Sequence, residues 1–123
     1  MRKVLFAEFF GTFALVFAGT GAVIINEITH GTVTHVGVAL TFGLIIMTMI
    51  YTLGDISGAH FNPAVTVAFA ISQKFSWYNV LPYISAQIMG ALTGSLILRL
   101  IFSTGHSLGV TMPLGTDIQS FLL

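Results

Sequence analysis

No cysteine occurs in the 123 residues, which removes disulfides, thiolate nucleophiles and cysteine metal sites together. Charge is nearly as scarce. Only 7% of the chain is Asp, Glu, Lys or Arg, against roughly 25% in an ordinary soluble domain. Four basic residues balance four acidic ones, so no basic face can neutralise phosphates, and nucleic acid is excluded as a partner. Paired carboxylates, a serine or histidine nucleophile set and a ligand cluster are also missing, so no enzyme, cofactor or metal is expected. Apolar residues, at 55%, fill the space left by charge. The composition fits an all-α membrane protein, or a piece of one, rather than a water-soluble globule.

Crossing roughly 30 Å of hydrocarbon takes about 20 helical residues, and three apolar runs meet that length. They extend over about Val4 to Ile25, His35 to Leu53 and Val80 to Phe102. A fourth run, Phe61 to Ile71, covers only about half the membrane at 1.5 Å per residue. The stretch before it, Gly54-Asp55-Ile56-Ser57-Gly58-Ala59-His60, is small and polar and predicts poor helix. A re-entrant segment over about 54–71, a loop returning as a half-helix, satisfies both facts, because irregular backbone survives at depth only against protein or a wet cavity. Residues Gln119-Ser120-Phe121-Leu122-Leu123 read as the start of a further span, from about 119, that is cut off.

Lys and Arg are retained on the cytoplasmic side. Arg2, Lys3 and Lys74 therefore place the amino terminus and the mouth of the re-entrant loop inside, and the chain after Phe102 outside. Arg99 is the exception, near an outer end from which it can snorkel or pair with an acid. The first run resembles a signal peptide in its leading charges, but its length and the embedded Glu8 favour a retained helix.

The segment Ser57 to Thr66 carries most of the information. Asn is a favoured N-cap and Pro a favoured first helical residue, so Asn62-Pro63 should open the half-helix, near mid-membrane. The positive end of that helix then faces the bilayer centre, and amide hydrogens of Asn62 not used in capping can donate to a small polar molecule. Carbonyls of the preceding loop, Gly58 through Phe61, offer a ladder of acceptors. Acceptors leading to a donor in a narrow hole suit water and small polyols, and the helix end repels cations. The bland reading is a helix start that buries its cap against protein.

Other residues admit two readings each. Glu8 is either an interfacial carboxylate at a helix start or an acceptor for backbone N–H groups of the re-entrant loop. Gln87 either does likewise or bonds a neighbouring helix. His30, His35 and His106 lie near outer ends at spacings that suit no helical ligand pair. Small residues at Ala7, Gly11, Ala14 and Ala18, and at Ala86, Gly90 and Gly94, predict close packing of the first and third spans around the half-helix, or contacts between subunits.

Ser57 to Thr66 resembles the first signature loop of the aquaporin, or major intrinsic protein, family. Ala7-Glu8-Phe9-Phe10-Gly11-Thr12 is similar to that family's first helix, and Leu81 to Ala91 to its third. Gly109 to Asp117 with Gln119-Ser120-Phe121 resembles the outer loop of the nodulin-26-like branch and its bacterial relatives. The resemblance implies six spans in two inverted repeats, two half-helices meeting at the midplane, and four pores per assembly in the plasma membrane. Only the first repeat is matched, so the expected reading is an amino-terminal half that needs a complementary second half. The implied pore residues are Asn62, Pro63 and Ala64, the loop residues Gly58, Ala59, His60 and Phe61, and Phe42 at the aromatic position of the outer constriction. In the family it is the carbonyl of His60 that faces the pore; its imidazole lining the pore, or gating it with pH, is a further reading. Glu8 and Gln87 are implied to support the loop. Phe at position 42 resembles the water-selective members, whereas the overall likeness leans to solute channels. The implied cargo is water and small neutral solutes, with glycerol or metalloid hydroxides (boric, silicic or arsenous acid) as the alternative. A half-length, non-conducting accessory subunit is the alternative of another class.

Overall fold

The structure is a computed structural model that describes residues 1–102, 108–110 and 115–122. Five helices follow one another: α1 (Arg2–Ile28), α2 (Thr34–Ser57), α3 (Pro63–Ile71), α4 (Trp77–Phe102) and α5 (Asp117–Leu122). No strand occurs among the described residues, and α1, α2 and α4 are long and apolar enough to cross a membrane. With nine residues, α3 rises only about 13 Å, well short of a crossing. Position 106 and residues 111–114 of the outer-loop resemblance lie outside the described residues.

Each spanning helix runs a few residues beyond its apolar stretch, because backbone hydrogen bonds continue past the hydrocarbon boundary until a terminator stops them. At the end of α1 the terminator is a tight turn. His30 and Gly31 adopt left-handed φ values of 52° and 93°, and the Gly31 N–H returns to the Asn26 carbonyl at 2.8 Å. The Asn26 side chain then accepts the Thr34 N–H at 2.8 Å, which turns the chain back into α2.

The stretch read as poor helix requires a correction. Gly54, Asp55, Ile56 and Ser57 are helical, so α2 ends at Ser57 and the irregular loop is confined to residues 58–62. Extending a helix that already exists adds one hydrogen bond per residue, which offsets the roughly 1 kcal/mol cost of Gly54. Termination comes at Gly58, whose φ of 83° is open to glycine and whose N–H caps the Gly54 carbonyl at 2.8 Å.

Helix α1 is the central element, with α2 and α4 packed against it and α3 packed against α4. Gly90, Gly94 and Leu98 of α4 meet Phe9, Phe13 and Gly21 of α1 in rising order, so the two helices run parallel. A Cβ on Gly90 would overlap the Phe9 carbonyl, and one on Gly94 would lie 3.2 Å from the Phe13 carbonyl. The small row of α4 therefore presses on α1 backbone, as membrane helices with small residues do. The row of α1 serves differently from the expectation that the two rows meet: Gly11 receives the ring of Phe61, from the re-entrant loop. Outward faces carry exposed Leu, Ile and Met, and among the residues of α2 only Ser57 is buried. Such a surface suits lipid or protein rather than water.

Candidate functional site: the start of the half-helix

Asn62 and Pro63 open α3 as their residue types demand. Asn62 is extended, at φ −153° and ψ 128°, and its Oδ1 accepts the Ala64 N–H at 2.8 Å. Pro63, at the first helical position, has no N–H to satisfy. The Thr66 N–H bonds the Asn62 carbonyl at 3.0 Å, closing the first turn. After capping, the side-chain Nδ2 of Asn62 has no hydrogen-bond partner among the described residues, and Asn62, Pro63 and Ala64 are exposed. The positive end of α3 and a free amide donor thus share one open face.

The loop feeding this face is built around a buried carboxylate. Ala59 and Phe61 adopt left-handed φ values of 52° and 48°, each costing about 1 kcal/mol or more for a residue with a Cβ. With His60 between them outside that region, the alternation turns successive N–H groups to one concave side, an anion-binding nest. The anion is Glu8 of α1, fully buried. Its Oε1 accepts the His60 N–H at 3.0 Å and the Ser57 hydroxyl at 2.6 Å. Its Oε2 accepts the Phe61 N–H at 2.8 Å and Gln87 Nε2 at 2.7 Å. Four donors replace the hydration that burial removes. Of the two readings of Glu8, the geometry selects the loop acceptor. Gln87, also fully buried, bonds both α1, through Glu8, and α3, through Thr66 Oγ1 at 2.9 Å.

Every peptide bond here is trans, so each N–H points opposite to the carbonyl of the residue before it. The His60 and Phe61 N–H groups face Glu8, and the Ala59 N–H faces Ser57 Oγ at 3.2 Å. The carbonyls of Gly58, Ala59 and His60 accordingly turn away from the carboxylate. No described group donates to them. Depth follows from the helix that serves as the ruler. Phe61 packs on Gly11, about 14 Å along an α1 that is about 40 Å long, so the loop tip lies about a third of the way along that helix.

The imidazole of His60 is buried, 4.8 Å from the Phe69 ring, 4.7 Å from Phe75 and 5.1 Å from Tyr83, centroid to centroid. It packs inside the chain rather than on the open face. Phe42 is half-buried on α2 with its ring against Gly19 of α1. No group of three or more His, Cys, Asp or Glu side chains occurs among the described residues.

Three supporting residues lay inside quoted motifs without being singled out: Ser57, Thr66 and Tyr83. The Tyr83 hydroxyl donates to the Ser57 carbonyl at 2.8 Å, tying the end of α2 to α4. For Tyr83 the signal was its four-residue spacing from Gln87, which stacks the two on one face of α4; Ser57 and Thr66 gave none.

A model of the major intrinsic protein family matches residues 1–120. Aquaporin NIP1-1 of Oryza sativa subsp. japonica is 49% identical over 124 aligned positions, which take in the whole chain and 43% of that relative. Probable aquaporin NIP4-2 of Arabidopsis thaliana is 54% identical over 103 positions, 84% of the chain and 36% of the relative. Nodulin-26 of Glycine max is 42% identical over 119 positions, 96% of the chain and 44% of the relative. The chain spans less than half the length of these curated relatives. With the re-entrant helix start, three apolar spans and this match over nearly all its residues, the chain belongs to the major intrinsic protein family, whose members lie in the membrane as multi-pass proteins.

Proposed function

We propose that the chain forms one half of a passive pore for water and small neutral solutes. A second half, carried on the same or another polypeptide, supplies the opposing half-helix. The observation that carries this reading is the helix start at Asn62. There a free amide donor and the positive end of α3 share the open face, next to a loop whose Ala59 and His60 carbonyls turn away from Glu8. A neutral molecule that both donates and accepts can move along such a surface, while a cation meets the helix end. The same reading places the amino terminus in the cytoplasm, from Arg2, Lys3 and Lys74, with the assembled channel a homotetramer in the plasma membrane.

Cargo is set at the narrowest ring, to which this half contributes Phe42. Its aromatic ring, held against Gly19, narrows the path and favours water. The name aquaporin, carried by the NIP relatives, supports a channel for water and small solutes as a class, whereas the likeness to the nodulin-26-like branch leans to solutes. The test is osmotic shrinkage of vesicles containing the channel in which this chain is one half. Water permeability is expected to exceed that of bare vesicles severalfold with no added cation leak, and Phe42→Ala is expected to raise glycerol uptake more than water flow. Water flow no faster than through bare lipid would overturn the reading and favour a non-conducting accessory subunit.

A further inference from the structure

We propose that Thr66 is a positioning residue whose hydroxyl relays the polarity set by Glu8 to the Asn62 carbonyl and holds the proton of His60 on Nδ1. The consequence for Asn62 rests on the pore reading above; the proton placement does not.

Both oxygens of Glu8 face only donors, the pattern of a carboxylate, which has no hydrogen to give. That pattern orients Gln87. Turned over, its amide would set Oε1 against a carboxylate oxygen, so Nε2 is the atom at 2.7 Å from Glu8 and at 2.9 Å from Thr66 Oγ1. Both amide hydrogens are then used. Thr66 Oγ1 has accepted one and retains a single hydrogen of its own. One turn back, 3.1 Å away, lies the Asn62 carbonyl, which can only accept and takes that hydrogen. The third neighbour of the hydroxyl is His60 Nδ1, also at 3.1 Å. It faces a lone pair, and a second lone pair there would repel, so Nδ1 carries the proton. Thr66 is fully buried, so no bulk water can reach in to substitute for any of the three partners.

This polarity matters at the open face. The Asn62 carbonyl receives two donors from Thr66, the backbone N–H at 3.0 Å and the hydroxyl at 3.1 Å, while its Oδ1 caps Ala64. With both oxygens engaged inward, Nδ2 is left as the group presented outward. Without the hydroxyl, Gln87 and His60 each lose an acceptor, and the Asn62 carbonyl keeps one donor. The residue that aims the pore-facing amide is therefore a full helical turn away from it.

The test uses the complete channel in lipid vesicles, with histidine labelled at both ring nitrogens. Nitrogen shifts in solid-state magnetic resonance tell Nδ1–H from Nε2–H. The unaltered channel and Thr66→Ser, which keeps a hydroxyl, are expected to carry the His60 proton on Nδ1. Thr66→Val, close in shape but without a hydroxyl, is expected to invert the tautomer ratio and to lower water permeability about fivefold, the factor that corresponds to one hydrogen bond. A proton on Nε2 in the unaltered channel overturns the proposal, as does Thr66→Val with tautomer and permeability both unchanged. Should Thr66→Val fail to assemble, the spectrum of the unaltered channel decides alone. A channel that passes no water yet keeps Nδ1–H sinks the pore reading and leaves the relay standing; a conducting channel with Nε2–H does the reverse.

Discussion

Glu8→Gln is expected to lower the stability of the channel by about 2 kcal/mol, although the substitution keeps the shape of the side chain and sits on α1, outside the re-entrant segment. The carboxylate has four donors and no other partners. A carboxamide offers one oxygen, which can serve two of them. With that oxygen on the Phe61 N–H and Gln87 Nε2, the NH2 faces the Ser57 hydroxyl, which can turn to accept, and the His60 N–H, which cannot, in a site with no exposure to solvent. One buried donor left unsatisfied costs about 1–3 kcal/mol, and the middle of that range gives the figure. Because the donor left unpaired is the His60 N–H, between the left-handed Ala59 and Phe61, the loop loses a contact that holds it, and residues 58–62 should relax. Unfolding of the purified channel in mixed micelles would show the change as a shifted midpoint. A loss below about 1 kcal/mol, the worth of a single ordinary hydrogen bond, would mean that Glu8 does not organise the loop.

A second large effect is expected at Gly90, and it should differ sharply from that at Gly94, one turn along the same helix. Alanine at Gly90 would drive its Cβ into the Phe9 carbonyl, which is backbone and cannot swing aside, so the helices α1 and α4 must separate. Overpacking of this kind costs typically about 1–3 kcal/mol, and the backbone neighbour puts Gly90→Ala at the upper end. At Gly94 the corresponding approaches are 3.2 Å to the Phe13 carbonyl and 3.2 Å to the Phe17 nitrogen, a displacement of a few tenths of an ångström. Gly94→Ala should therefore cost under about 1 kcal/mol. The same unfolding measurement orders the two variants. Equal losses, or the reverse order, would contradict the registry of α1 on α4.

Much of this arrangement could be read from residue types. Local rules sufficed for Asn62 and Pro63, because an N-cap and a first-turn proline act within one helical turn. The short half-helix followed from length alone, whereas Glu8 stayed open between an interfacial carboxylate and a loop acceptor until the contacts from Ser57, His60, Phe61 and Gln87 decided it. What escaped was set by contacts distant in sequence. Glu8 reaches Gln87 across 79 positions, and no periodicity reveals that Thr66 joins them. The end of α2 was misplaced because Gly54 and Asp55 look like a loop, whereas Tyr83 and Glu8 hold Ser57 in the last helical turn. His60 belongs to the same class. Its place among Phe69, Phe75 and Tyr83 depends on how α3 folds back onto α4, which its neighbours in sequence do not announce.

The central claim is that the helix start at Asn62 lies against a water-filled path at depth in the membrane. Since the chain has no cysteine of its own, Asn62→Cys places a single thiol in this half. The most direct measurement is the rate at which a small, charged, membrane-impermeant thiol reagent modifies it in the assembled channel, with water flow followed in the same vesicles. Rapid modification accompanied by block of water flow is the predicted result. A thiol that stays unmodified while water continues to pass would show that the path, if there is one, runs elsewhere.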